Sequence, residues 1–176
     1  MKTIQRRLFN QSVLTALFAS GAAVTLAGCG FKMRGSFTYA FKSLYSGFVD
    51  NSLLGNEFKR TIAADGQVAV IADVAQASKA QVVLEVLHEQ REKVVVGVTS
   101  SGQVREFQLR IRLKFKLRTP EGKDIIPETE LLVQRDVSFN ESAVLAKEAE
   151  EGLLYRDMQT DLVQQLLRRL SAVKEI

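Results

Sequence analysis

Few groups in this chain could do covalent or acid–base chemistry. His88 is the only histidine and Cys29 the only cysteine. His88 continues the apolar spacing of Val82, Leu84 and Val86, which predicts a packed or edge imidazole and not a general base. Glu148, Glu150 and Glu151 cluster where a helix is expected to begin, a position that suits acidic side chains through the helix dipole. Carboxylates alone make no hydrolase, and no cluster has metal-ligand spacing. The glycines of "GQV" and "PEG" belong to turns and form no phosphate loop. The sequence therefore predicts neither an enzyme nor a bound metal or cofactor.

Cationic chemistry is better provisioned. In "QLRIRLKFKLR", Gln108 to Arg118, the apolar residues Leu109, Ile111, Leu113, Phe115 and Leu117 alternate with Arg110, Arg112, Lys114, Lys116 and Arg118. Strict alternation is the period of a half-buried strand, with one row on a core and the other facing away. Arg110, Arg112, Lys114 and Lys116 are thus candidates to face an acidic partner. A plainer role competes. Glu85 and Glu89 on one side, and Glu130 and Asp136 on the other, are expected to point outward and absorb much of the charge. Each such exposed cross-strand pair contributes only about 0.2–1 kcal/mol.

The elements that must hold this strand follow from the rest of the chain. "SFTYAFKSLYSGF" (Ser36 to Phe48) is aromatic and holds the first strand. Ser52 caps a helix whose Leu54, Phe58 and Ile62 share one face, and Asp65–Gly66 ends it. Val68 to Ile71 is a minor strand candidate. Ala80 to Val98 reads as a long strand with Val82, Leu84 and Val86 on one face. "SSG" (Ser100 to Gly102) and "TPEGK" (Thr119 to Lys123) turn the chain before and after the cationic strand. Thr129 to Phe139 is the next strand, with Leu131, Val133, Val137 and Phe139 inward. A long amphipathic helix closes the chain, with Leu154, Met158, Leu162, Leu166 and Leu170 in one stripe and Gly152 as a point of interruption. The fold expected is α+β, a two-layer sandwich with two α-helices on one face of a mostly antiparallel four-stranded sheet.

The N-terminus carries an address. Lys2, Arg6 and Arg7 precede the apolar, small-residue run "SVLTALFASGAAVTLAG", which ends in "LAGC". That order predicts a secretory signal peptide over residues 1–28, and the run is too short and interrupted for the roughly 20 apolar residues of a membrane span. "LAGC" resembles the lipobox of bacterial lipoproteins, which implies acylation of Cys29 and a lipidated tether over 29–35 before a single domain at 36–176. Gly30, in place of Asp, favours sorting to the outer membrane. "RRLF" weakly resembles a twin-arginine signal, and the ordinary export route is preferred.

Removing the signal changes the charge. The whole chain has 24 Lys+Arg and 20 Asp+Glu, a net +4; without Lys2, Arg6 and Arg7 it has 21 against 20. The mature chain is nearly neutral, so an anionic partner must be met by local patches and not by overall charge. Nucleic acid is not expected as a partner. With one cysteine, no internal disulfide can form.

Beyond these residues, "CGFKMRG" (Cys29 to Gly35), "SGQVREFQL" (Ser101 to Leu109) and "AVLAKEAEE" (Ala143 to Glu151) resemble, in order, the LPS-assembly lipoprotein family LptE. The resemblance spans essentially the whole chain after the signal. It implies two helices on a four-stranded sheet and an outer-membrane lipoprotein anchored on the periplasmic side through acyl chains on Cys29. It further implies that the protein plugs and helps assemble the LptD β-barrel and binds lipopolysaccharide during insertion into the outer leaflet. Lys147 matches a basic position of the family's lipopolysaccharide site. Ser100 stands where the family pattern carries Arg, so Arg105 or Arg91 would have to substitute near that turn. The alternative reading is a free-standing periplasmic lipid- or polyanion-binding lipoprotein.

Overall fold

The computed structural model describes residues 37–140 and 144–176. In chain order its elements are β1 (Ser43–Ser46), α1 (Leu53–Ala64), β2 (Ala69–Ile71), a 3₁₀ helix (Val74–Lys79), β3 (Val82–Val98), β4 (Val104–Arg118), β5 (Asp124–Ser138) and α2 (Val144–Ser171). One sheet runs β2-β1-β3-β4-β5. β3, β4 and β5 form an antiparallel meander, whereas β1 runs parallel to both β2 and β3.

The sheet is therefore five-stranded and mixed, not four-stranded and mostly antiparallel. The fifth strand is the short Ala69–Ile71 run, which pairs Ser43↔Ala69 through Tyr45↔Ile71. Parallel neighbours need a crossover between them, and α1 supplies it between β1 and β2.

Local chemistry sets each boundary. Ser52 caps α1, its Oγ accepting from Gly55 N at 2.8 Å. Gly55 itself is required by packing, because a Cβ there would lie 2.5 Å from Phe48 Cβ. The hairpin between β3 and β4 closes through Thr99 N donating to Gln103 O at 2.8 Å, with Gly102 at φ 81°. The next turn closes through Thr119 N and Lys123 O at 2.9 Å. β5 begins earlier than expected and runs through Pro127. An edge strand tolerates proline because half of its backbone groups need no ladder partner.

One core joins sheet and helices. Leu54, Phe58 and Ile62 of α1 and Met158, Leu162, Leu166 and Leu170 of α2 meet Leu109, Leu113, Phe115 and Leu117 of β4, none of them more than 2% exposed. Leu131, Val133 and Val137 of β5 are buried as expected, while Phe139 lies half-buried past the strand end, edge-on to Phe107. Along β3–β5 the opposite face of the sheet is open, and every second residue of β4 from Arg110 to Arg118 is only partly covered.

The long strand β3 departs from simple alternation. Val86 pairs with Phe115 and His88 with Lys114, so Leu87 is an unpaired bulge residue. Before it, Val82, Leu84 and Val86 face the helices. After it, Glu89, Arg91 and Lys93 do, opposite Leu113, Ile111 and Leu109. The expectations for His88 and Glu89 are thereby reversed. His88 lies on the open face, with Nε2 2.8 Å from Gln90 Oε1. Glu89 turns toward α1.

Candidate functional site

The cationic row of β4 meets its carboxylates within the sheet. Glu85 accepts from Arg118 Nε at 2.9 Å and lies 3.4 Å from Lys116 Nζ. Those two cations hold its carboxyl below the ordinary glutamate range. Arg112 pairs with Glu130, and Lys114 lies 3.7 Å from Glu130 and 3.8 Å from Glu128. Asp136 points outward as expected but accepts from the Gln108 amide, not from a cation. Arg110 differs from its neighbours: its Nε donates to Gln108 Oε1 at 2.7 Å, and it makes no ion pair among the described residues. Of the four partner-facing candidates, three are neutralised within the sheet and Arg110 is left over.

The helix-side face carries a second set of cations, gathered by the bulge. Arg91 lies flat over the Tyr155 ring, its guanidinium carbon 3.4 Å from the ring centroid. Tyr155 OH donates to Glu92 O at 2.7 Å. Lys93 sits 4.3 Å over Phe107 and pairs with Glu151 at 2.6 Å. Lys147 donates to Glu150 Oε2 at 2.8 Å and reaches Ser138 Oγ at 3.5 Å. Arg105 falls at a register irregularity, where Gly97 pairs with Glu106 and Val98 with Val104, so alternation does not assign its face; its side chain is exposed. Ser100 is exposed in the adjoining turn. Contrary to expectation, Arg91, opposite Ile111 at the middle of β4, does not lie near the Ser100 turn, whereas Arg105 is at the strand end beside it. Arg91, Lys147 and Arg105 lie on different elements and do not touch one another among the described contacts.

Two cavities flank α2. The larger, about 380 Å³, lies among Val49, Ser52, Leu54, Glu89, Arg91 and Gln159. The smaller, about 60 Å³, has Phe107, Leu109, Val137 and Phe139 as its apolar floor and Lys93 and Lys147 in its wall. Glu148 and Glu151 share that wall, so the two lysines are matched by two carboxylates; an anionic headgroup over the apolar floor would have to displace them. Among the described residues no group of His, Cys, Asp and Glu is placed to hold a metal ion.

Lys93 and Tyr155 were not singled out by sequence reasoning, and Glu151 was read only as part of an acidic helix start. The signal was present in the i, i+2 spacing of Arg91 and Lys93, which repeats that of the β4 row. The bulge concealed which face they occupy. Cys29, the lipidation candidate, lies outside the described residues. No helix among the described residues is long and apolar enough to cross a membrane.

Comparison with known proteins agrees with this architecture. The family model LptE, described as lipopolysaccharide-assembly, matches residues 41–170. An LPS-assembly lipoprotein LptE from Pectobacterium atrosepticum is 28% identical over 153 residues, covering 86% of this chain and 82% of that protein. Its counterpart from Yersinia pestis is 29% identical over 162 residues, covering 92% of this chain and 76% of that protein. Among solved structures, an uncharacterized lipoprotein B from Nitrosomonas europaea superposes with a TM-score of 0.67 at 33% identity, covering 81% of this chain and 91% of that one.

Proposed function

The chain belongs to the LptE family of non-enzymatic lipopolysaccharide-assembly lipoproteins, and from that membership we propose that it is anchored in the outer membrane through acyl chains on Cys29, plugs and helps assemble the LptD β-barrel, and binds lipopolysaccharide. The observation that carries this reading is the family match over nearly the whole folded domain, residues 41–170. Physical features support its parts. A barrel lumen is polar, and the open sheet face is charged yet largely paired within itself, so with the exception of Arg110 it can enter such a lumen without burying unpaired charge. Arg110, which makes no ion pair among the described residues, is the residue of this row best placed to meet an acidic group of the barrel. Lipopolysaccharide would be met by Lys147, Arg91 and Arg105.

One observation favours the competing reading of a free-standing periplasmic lipid-binding lipoprotein: Lys114, Lys116 and Arg112 already have carboxylate partners and need none from a barrel. Affinity purification from detergent-solubilised outer membranes separates the two. The barrel protein LptD should co-purify in stoichiometric amount, and recovery of the chain alone with bound lipid would favour the free-standing form. Labelled palmitate should enter the wild-type chain and not Cys29→Ala.

A further inference from the structure

The first turns of α2 are attached differently from the rest of that helix. From Met158 onward Leu162, Val163, Leu166, Leu167 and Leu170 are at most 1% exposed. Before Tyr155 no described α2 side chain is fully buried, and Leu145 and Leu153 are 83% and 60% exposed. What holds this segment is polar: Lys147 to Ser138, Glu151 to Lys93, and Tyr155 to Glu92 O and Arg91. Beneath it lies the small cavity floored by Phe107, Leu109, Val137 and Phe139. A helix segment over apolar side chains would ordinarily supply apolar residues to meet them.

Gly152 marks the border between the two kinds of attachment. The helix is continuous through it, and a Cβ built there would meet nothing within 4 Å. No close packing therefore demands glycine, although glycine weakens a helix interior relative to alanine.

We propose that the segment Val144–Glu151 is a lid released at Gly152, and that it covers a site for an acyl chain of a phosphorylated lipid. On release, Lys93 and Lys147 exchange Glu151 and Glu150 for the lipid phosphate while the chain lies on Phe107, Leu109 and Val137. The carboxylates hold the lysines in place when the site is empty and compete with the ligand. The inference rests on the lipopolysaccharide reading above and adds where the chain goes and what must move.

Two substitutions that touch neither lysine bias the lid in opposite directions. Gly152→Ala should slow amide hydrogen exchange across 144–151 relative to 158–170. Ala149→Gly, at an exposed position, should speed it. Affinity scales with the fraction of open molecules. Binding of lipopolysaccharide in nonionic detergent should therefore weaken roughly three- to fivefold in Gly152→Ala and tighten by a similar factor in Ala149→Gly, from the helix propensity difference. The fully deacylated, still phosphorylated saccharide engages the lysines but leaves Phe107, Leu109 and Val137 uncovered, so it should bind wild type far more weakly than the acylated lipid while shifting in the same direction in the two variants. If wild type binds no lipopolysaccharide, the reading beneath the proposal fails. If wild type binds and the exchange rates shift while affinity for the acylated lipid does not, the lid is overturned. Equal affinity of wild type for the acylated and deacylated probes would overturn the acyl site.

Discussion

Ser52 joins two elements that lie 37 positions apart: its Oγ sits 2.8 and 3.0 Å from the two carboxylate oxygens of Glu89 while accepting from Gly55 N at 2.8 Å. One hydroxyl caps α1 and ties that cap to β3 just beyond the bulge.

Ser52→Ala should therefore cost about 1–2 kcal/mol, the upper part of the range for a lost helix cap, because Glu89 loses a donor as well. Ser52→Asp is the sharper test. Aspartate is ordinarily as good a cap as serine, but here it sets a second carboxylate against Glu89, so Ser52→Asp should be no better than Ser52→Ala. Adding Glu89→Gln should restore it. Urea denaturation of the four proteins measures this, and a stable Ser52→Asp single variant would show that the contact to Glu89 is unimportant.

Leu113→Asp should abolish folding. Leu113 is fully buried in the helix-covered row, between Glu89 on β3 and Leu131 on β5. Burying an unpaired carboxylate there costs more than a domain of this size can spare. Leu113→Ala should remain folded with a loss of roughly 2–5 kcal/mol. Circular dichroism melting reads both, and an unchanged melting temperature in Leu113→Asp would mean the faces of β4 are reversed.

How much of this was legible in advance depends on the reach of each interaction. The β4 alternation and the α2 stripe are local periodicities, and the buried rows from Leu109 to Leu117 and from Met158 to Leu170 were readable directly. So were the Ser52 cap and both hairpin turns, each set by residues at most four apart. The bulge at Leu87 was not. "VLH" fits a regular strand equally well, and only the pairing with Phe115 and Lys114 reveals which residue is extra. That single ambiguity reversed the reading of His88 and Glu89 and hid Lys93. Tyr155 joins Glu92 across 63 positions, a contact no window of sequence contains. The parallel placement of β1 between β2 and β3 was likewise invisible, since strand order follows from the whole core.

On the proposed partnership, Arg110→Glu with Lys114→Glu should weaken binding to LptD while changing stability by no more than about 1 kcal/mol, as exposed pairs contribute little. Like charges across an interface can cost several kcal/mol. Arg110 should account for most of the loss, since Lys114 is already engaged by Glu128 and Glu130. The defect should shrink with added salt, which screens exposed charges within about 8 Å at physiological strength. Pull-down yield and melting temperature measured side by side decide it; lost stability with intact binding would make the row a purely internal ladder.

Glu85 gives the open face a pH dependence of definite sign. Its folded pKa lies below the ordinary glutamate value of 4.5, chiefly through the hydrogen bond from Arg118. The unfolded chain therefore takes up the proton first as pH falls. The stabilisation is complete above 4.5 and lost as pH drops through the lower folded value. With 38% of the Glu85 side chain exposed, solvent screening keeps the effect small. Glu85→Gln should melt slightly below wild type at pH 7, with the difference vanishing toward pH 3. A difference that persisted at pH 3 would assign Glu85 a packing role in place of an electrostatic one.

The unpaired Leu87 also fixes where this strand can change length. Deleting it would leave Val86 opposite Phe115 and His88 opposite Lys114, now as consecutive residues, with no partner exchanged and no side chain turned over. Only the local bend that a bulge imparts would go. A deletion between His88 and Val94 has no such outlet. The missing residue would have to be drawn from this bulge or from the irregularity at Val96, and every position between the deletion and that point would cross from one face of the sheet to the other. A deletion at Val94 drawn from Leu87 would put Gln90 and Glu92 on the face that Arg91 and Lys93 now occupy, so the strand can lose a residue harmlessly at its bulge but not within the stretch that carries these two cations.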